Sequence, residues 1–237
     1  MLVKTKAIVI SSIKYQEKSL IVKCFTQSEG LKSYFVRDAF SSRKSNQKIA
    51  YFQPLTILEI EAIHKNKGTL ENFREIKIAT PFQSIYSDIY KNTIVLFISE
   101  ILHHSIHDEE KNEALFTFLE TALNWLDTHN DIANFHLILL LEITKYFGFY
   151  PDISKLENTF FEMKEGVFSS FQALNSLSEH ESSLLKKLIE LRFDSDKKTF
   201  HSIERQIILK ILIEYYSFHL EGFKKAKSLE VLREVFL

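Results

Sequence analysis

The segment EILHHSIHDEE brings His103, His104 and His107 together ahead of a run of acids. His103 and His107 stand four residues apart, which on a helix puts both imidazoles on one face within reach of one metal ion. Catalytic zinc takes three protein ligands, and Glu110 is the nearest candidate for the third. A metal-dependent hydrolase is one reading of this group. The other is a polar helix end, where histidine complements the helix dipole. Asp108, Glu109 and Glu110 read as a solvated loop. The five glycines are scattered, so there is no phosphate-binding loop, and neither GxSxG nor HExxH occurs. Nothing assigns a nucleophile, a base or an oxyanion donor. The expectation is a protein that is not an enzyme and needs no cofactor.

A different pattern lies between residues 32 and 51. Lys32, Tyr34, Arg37, Phe40, Arg43, Lys44, Lys48 and Tyr51 interleave cations with aromatic rings. Single-strand binding needs both ingredients, a cationic path for phosphates and rings on which bases stack. Period two along 30–37 puts Lys32, Tyr34 and Val36 on one face and Leu31, Ser33, Phe35 and Arg37 on the other. The expectation is that Lys32 and Tyr34 point outward and Phe25, Phe35 and Phe52 belong to the core. Arg37, Arg43, Lys44 and Lys48 are then phosphate contacts flanked by Lys14 and Lys32, with Tyr34 and Phe40 as stacking candidates. A solvated loop without a partner is the alternative.

The charge distribution favours the first of these. The 237 residues carry a net charge of −1, but residues 1–80 hold fourteen Lys/Arg against seven Asp/Glu, a net +7, and residues 81–237 a net −8. Such asymmetry points to a polyanionic partner for the first part. The single cysteine, Cys24, leaves no internal disulfide and no Cys-rich zinc site. MLVKTKAIVISSIKY alternates too strictly for a signal peptide, and IANFHLILLLEITKYFGF, broken by His136 and Glu142, is too short to span a membrane. A cytoplasmic, nucleoid-associated location without membrane contact follows as an expectation.

Two kinds of element must position these residues. Before Pro81 the runs KAIVISSIKY, SLIVKCFT, LKSYFVRDA, FQPLTILEIEAI and TLENFREIKIAT have strand character, with QSEG and KNKG as turns. Five short strands with one apolar face must curl to cover it. After Pro81 the period is helical. Leu115, Leu119, Ala122 and Leu126 form one face, and a helix is expected from Ile132 to Phe147 with Gly148 as its cap. Ser178 and Glu181 have capping-box spacing, Ile203, Ile207, Ile211 and Tyr215 form a further stripe, and SLEVLREVFL adds a last helix. Between Asp152 and Asn175 a small hairpin is expected to turn at KEGV. The fold class is α+β multidomain. A small five-stranded barrel or sandwich is expected over 1–80, and an all-α helical domain over 81–237 with an irregular or hairpin insertion near 152–175.

The chain resembles the RecO family of bacterial recombination mediators. KAIVISSIKYQEKSLIVKCFTQSEG, the basic stretch from Arg37, YFQPLTILEIE, LLEITKYFGFYPD and FHLEGFKKAKSLEVL carry the resemblance in family order. The resemblance implies a five-stranded oligonucleotide-binding (OB) type β-barrel over 1–80, without a zinc module, followed by a helical domain, in a protein that binds single- and double-stranded DNA and anneals complementary strands. It also implies work with RecR, and in many members RecF, to load RecA onto DNA coated by single-strand binding protein (SSB). In some members the helical domain captures the SSB C-terminal tail, for which Lys186, Lys187, Arg192 and Arg205 are candidate cations here. Two departures stand out. Many members carry a four-cysteine zinc module after the tyrosine–proline pair, here Tyr150 and Pro151, and this chain has no cysteine and so no zinc module there. A lysine–glycine pair common at the end of the third strand is Arg37–Asp38 in this sequence. A second functional class stays open, a non-catalytic adaptor whose barrel docks a protein partner instead of DNA.

Overall fold

A computed structural model describes residues 1–40, 49–65, 70–106, 111–195 and 199–236. The chain divides into two compact units, Met1–Thr128 and His129–Leu237. All five expected strands are present in the first unit: β1 (Leu2–Tyr15), β2 (Ser19–Thr26), β3 (Gly30–Val36), β4 (Ile57–Ile63) and β5 (Asn72–Ile78). They form one antiparallel sheet in the order β3-β2-β1-β4-β5. The sheet curls until its outer strands meet. Tyr34 and Glu71 form a parallel bridge there, with Phe35 N–H donating to Glu71 O at 2.9 Å and Glu71 N–H to Ser33 O at 2.8 Å. Closure removes the exposed edge that an open sheet would offer to other chains. The barrel is of the OB type.

Two features set which side chains face inward. The turn between β2 and β3 is three residues long. It is tied by Thr26, whose Oγ1 donates to Gly30 O (2.8 Å) and accepts from Glu29 N–H (3.1 Å), and Gly30 takes the left-handed conformation with φ 65°. That turn sets Val22 opposite Tyr34 and Cys24 opposite Lys32. The second feature is a bulge in β1. The pairing steps from Val9↔Cys24 to Ser11↔Lys23, so Ile10 is an extra residue. Before it the odd-numbered Ala7 and Val9 face the barrel core with Val22, Tyr34, Phe52, Leu58 and Ile60. After it the parity reverses, and Ile13 and Tyr15 lie on the outer face.

Part of that outer face is covered. Helices α1 (Ile89–Ser105) and α2 (Glu113–Thr128) complete the first unit. Ser99 Oγ donates to Ile10 O at 3.0 Å, and Phe25 packs on Phe116 with ring centroids 6.0 Å apart. Ile8, Ile10 and Phe25 are buried as a result. The stripe Leu115, Leu119, Ala122, Leu126 is buried throughout.

A carboxylate secures the link from barrel to helices. Asp127, near the end of α2, accepts backbone N–H bonds from Gln83 (2.9 Å), Ser84 (2.8 Å) and Ile85 (3.1 Å). Buried Lys91 reaches Ser84 Oγ (2.7 Å) and Asp127 O (2.9 Å).

The second unit is built on α3 (Phe135–Ile143), α4 (Glu179–Glu190), α5 (Ser202–His219) and α6 (Leu229–Val235). All of α3 except Glu142 is buried, as expected of a helix surrounded by others. It is shorter than the expected 132–147. After Ile143 the chain continues in tighter turns, Lys145 N–H to Glu142 O and Tyr146 N–H to Ile143 O, and Gly148 at φ 80° ends them. Ser178 and Glu181 form the expected capping box. The stripe on α5 needs correction. Ile211 and Tyr215 are buried, but Ile203 is 72 % exposed. A strict four-residue spacing drifts by about 40° per step on a helix of 3.6 residues per turn, so four such positions cannot share one face. The buried face is Ile208, Ile211, Leu212, Tyr215 and Tyr216.

The cysteine-free insertion is a hairpin, β6 (Phe160–Glu162) and β7 (Val167–Ser169), turning at residues 163–166 with Gly166 at φ 71°. Phe161 and Phe168 are buried beside Tyr215, and Ser182 Oγ accepts Phe161 N–H at 2.9 Å. An aromatic cluster thus holds this hairpin.

Burial alone would push the pKa of Asp127 up, but the backbone donors Gln83, Ser84 and Ile85 and the Ser84 hydroxyl outweigh it and hold the carboxyl below its ordinary value. A depressed carboxyl contributes stability that is present above its unfolded value, about pH 4, and is lost as pH falls through the folded value. Asp127→Asn is expected to cost roughly 1–2 kcal/mol at neutral pH, given the partial exposure. The difference from the parent should vanish in acid; thermal melts from pH 7 to pH 3 measure it.

Candidate nucleic-acid interface

The barrel has two ends of opposite character. At the end carrying the β2–β3 turn, Tyr34 Oη lies 2.8 Å from His64 Nε2, and His64 Nδ1 lies 2.6 Å from Glu29 Oε2. A carboxylate can only accept, so Nδ1 carries a proton directed at Glu29. The Glu71 carboxylate takes Lys65 N–H at 3.0 and 2.9 Å. Tyr34, Lys32, His64 and Glu71 are all buried, and burial, then the charges of Cys24, Glu29 and Glu71, pushes the Tyr34 phenol up. Tyr34 also stacks on Phe73 at 4.0 Å.

This corrects the expectation for β3. Lys32 and Tyr34 face inward, and no base can stack on Tyr34. The reason lies in the β2–β3 register, which pairs them with the apolar Cys24 and Val22. The half-exposed face is Leu31, Ser33 and Phe35, so Phe35 is not the core residue expected, although Phe25 and Phe52 are.

The remaining described candidates meet at the opposite end, around the β1–β2 turn. Arg37 is exposed, and its guanidinium carbon lies 5.9 Å from the Phe35 ring centroid. Exposed Lys14 places Nζ 5.5 Å from the Phe40 centroid. Lys14 follows the inward parity of β1 and Arg37 the outward parity of β3, so the two pairs lie on either side of the ribbon. Tyr15 meets Phe35 edge to face at 6.0 Å and 84°. Ile13, Ile21 and Phe35 lie in register across three strands, and Ser11, Lys23 and Ser33 form the next row. Tyr15, Ile13, Ile21 and Lys23 were not singled out from the sequence. The three-residue turn TQSEG is the signal that could have found this face, because it fixes which β3 residues stand beside Val22 and Cys24.

Asp38 follows with φ 51°. Glycine suits that left-handed geometry, and aspartate is among the few other residues that tolerate it. Its place in the fold is therefore conformational, and its carboxylate sits one residue from Arg37. Ala39 beyond it is buried. Arg43, Lys44 and Lys48 lie outside the described residues.

Among the described residues, the other groups do not assemble a site. A groove of about 340 Å³ lies along β1, β4 and β5, but its lining cations and acids alternate, with Lys4–Glu61 at 3.1 Å and Lys77–Glu75 at 2.9 Å. A polyanion would meet Glu59, Glu61 and Glu75 there. His103 packs against His104, and His107 and Glu110 lie outside the described residues. Among the described residues no group of three or more His, Cys, Asp or Glu side chains is placed to hold a metal ion. In the second unit Lys186 bonds to Asn158 O (2.6 Å), Arg192 to Ile189 O (2.8 Å) and Arg205 to Phe200 O (2.7 Å), while Lys187 is exposed. Among the described residues no helix is long and apolar enough to cross a membrane.

A closed five-stranded barrel with cations set over aromatic rings at one end, followed by a helical unit, defines an OB-barrel protein with a helical second part. The family descriptions Recombination protein O N terminal and Recombination protein O C terminal match residues 1–82 and 86–229. Over the full length of both chains, the sequence is 78 % identical to the DNA repair protein RecO of Flavobacterium psychrophilum. Identity is 40 % to the protein of that name from Christiangramia forsetii and 35 % to that from Bacteroides fragilis, again with both chains fully covered. The chain belongs to the RecO family.

The inward placement of Tyr34 has a direct consequence. Tyr34→Phe should lower stability by about 1 kcal/mol, the value of one buried hydrogen bond whose partner is left unpaired. It should leave affinity for a labelled single strand within about twofold; chemical denaturation and fluorescence anisotropy test the two parts.

Proposed function

We propose that the protein acts in DNA repair and homologous recombination as a mediator. It binds single- and double-stranded DNA at the β1–β2 turn end of its barrel and anneals complementary strands. With RecR, and RecF where present, it helps to load RecA onto SSB-coated DNA. The observation that carries this reading is the pairing of Arg37 with Phe35 and of Lys14 with Phe40 at one barrel end. The net charge of +7 in residues 1–80 supports it, and Arg43, Lys44 and Lys48 extend the positive charge along the sequence from Arg37. The relatives named DNA repair protein RecO support the repair role.

Annealing needs no chemical step. Two strands repel through their phosphates, and a basic surface lowers that repulsion while the strands search for pairing. The acidic remainder of the chain limits DNA to the basic face. In the second unit, exposed Lys187 is the cation assigned to meet the carboxylate of an SSB tail. Half-exposed Ile13, Ile21 and Phe35 favour a second reading, in which the barrel docks a protein partner.

Each phosphate contact releases counterions, so affinity falls by about 0.9 log unit per log unit of salt per contact on duplex and about 0.7 on a single strand. Lys14→Ala/Arg37→Ala is expected to weaken both DNA forms by about tenfold or more in low salt and to lower the salt slope by about one to two contacts. Unchanged binding in an anisotropy titration would overturn the assignment and leave the protein-docking reading. Asp38→Gly removes a negative charge beside the same path and relieves the left-handed strain. It should raise DNA affinity by severalfold without loss of melting temperature.

A further inference from the structure

The groove along β1, β4 and β5 repels a polyanion, yet its charges are ordered. On the outer face β1 presents Leu2, Lys4 and Lys6, and antiparallel pairing sets them directly beside Ile63, Glu61 and Glu59 of β4. The face therefore consists of three cross-strand rows. Two rows hold a cation beside an acid, and the third, Leu2–Ile63, is apolar. Read along the strands, the β1 column is basic and the β4 column is acidic. Leu2 and Ile63 are each 47 % exposed, and Lys4 and Glu59 are exposed. The charges are already engaged sideways. Glu61 takes Lys4 at 3.1 Å and Arg74 at 2.8 Å, and Lys6 reaches Glu120 of α2 at 2.8 Å. Each carboxylate has lone pairs left for a further cation from above.

We infer that this face is an interface between two copies of the chain, related by a two-fold axis that runs parallel to the strands between β1 and β4. A half turn about that axis keeps the rows and exchanges the columns. Lys4 then faces Glu61 of the second copy, Lys6 faces its Glu59 and Leu2 faces its Ile63, and every contact occurs twice, as in any isologous interface. An axis across the strands would set Lys4 on Lys4 and Glu61 on Glu61, so charge selects the first arrangement. Both barrels curve away from the contact, which limits it to β1 and β4. The buried area falls short of the roughly 800 Å² per partner of a standard interface, and exposed ion pairs are weak and screened by salt. The dimer is therefore weak and reversible. Its consequence rests on the DNA-binding reading above. A strand-parallel axis leaves the β1–β2 turn ends of both barrels pointing the same way. Two strands, one on each copy, are then held side by side, the arrangement that annealing requires.

Sedimentation equilibrium of the full chain in low salt, up to about 100 µM, should show a monomer–dimer equilibrium that salt weakens. Lys4→Glu/Lys6→Glu and Glu59→Lys/Glu61→Lys should each weaken the dimer by about tenfold or more, because like columns now face each other. An equimolar mixture of the two should restore it, since the reversed columns complement, and misfolding could not produce that rescue. Leu2→Asp leaves every ion pair in place and should weaken the dimer as well, which covers the case of a charge variant that fails to fold. In an annealing assay at matched DNA occupancy, each double variant should be severalfold slower and the mixture should recover. Lys14→Ala/Arg37→Ala should dimerise like the parent, so loss of DNA binding and loss of pairing are read separately. A parent that stays monomeric throughout, variants that associate like the parent, or a mixture no better than its components would overturn the inference. Dimerisation without any effect on annealing would overturn the side-by-side arrangement.

Discussion

The three-residue turn between β2 and β3 governs much of what this barrel can do. Thr26 and Gly30 close it, and the closure fixes one register. A slip of a single residue would exchange every inward side chain of β3 for an outward one. Tyr34 would then leave its bond to His64, and Phe35 and Arg37 would turn inward together. The buried polar chain Tyr34–His64–Glu29 locks the same choice from inside, because an unpartnered buried hydroxyl or imidazole is costly. Closure of the barrel at Tyr34 and Glu71 requires that register as well. The chemistry of the outer face is thus set by a turn at the far end of the barrel.

The Ile10 bulge supplies the second half of the design. A regular β1 would keep one parity along its 14 residues. With the bulge, the strand serves two environments. Its first half buries Ile8 and Ile10 under helices, and its last turn of sheet presents Ile13 and Tyr15 to solvent. The same face is therefore core in one place and open to solvent in the next.

How far the sequence can be read follows from these points. The five strands, the capping box at Ser178 and Glu181, the buried stripe of α2 and the hairpin at KEGV rest on local patterns, so residues near in sequence suffice to see them. The orientation of β3 is different. Both of its faces hold a mixture, Lys32 and Tyr34 on one and Phe35 and Arg37 on the other, so periodicity alone cannot decide which is inside. That information sits in the pairing with β2 and in partners as distant as His64 and Glu71. The bulge leaves no compositional mark either. Arg37 and Phe40 were legible because they lie at a strand end, where exposure follows from position. Asp38, which departs from the glycine of the family pair, has a backbone reason in its positive φ. On α5, the spacing of Ile203 misled because a count of four imitates a helical stripe over two turns and departs from it over three.

The central proposal is that DNA is bound at the β1–β2 turn end of the barrel, where Arg37 meets Phe35 and Lys14 meets Phe40. Photo-crosslinking of a single strand carrying 5-iodouracil, followed by mass spectrometry of the linked peptides, reads this without a substitution. The account predicts crosslinks on Tyr15 and Phe35 and on peptides from residues 11–23 and 31–40. Crosslinks confined to residues 129–237, or to the paired-charge groove around Glu59 and Glu61, would contradict it.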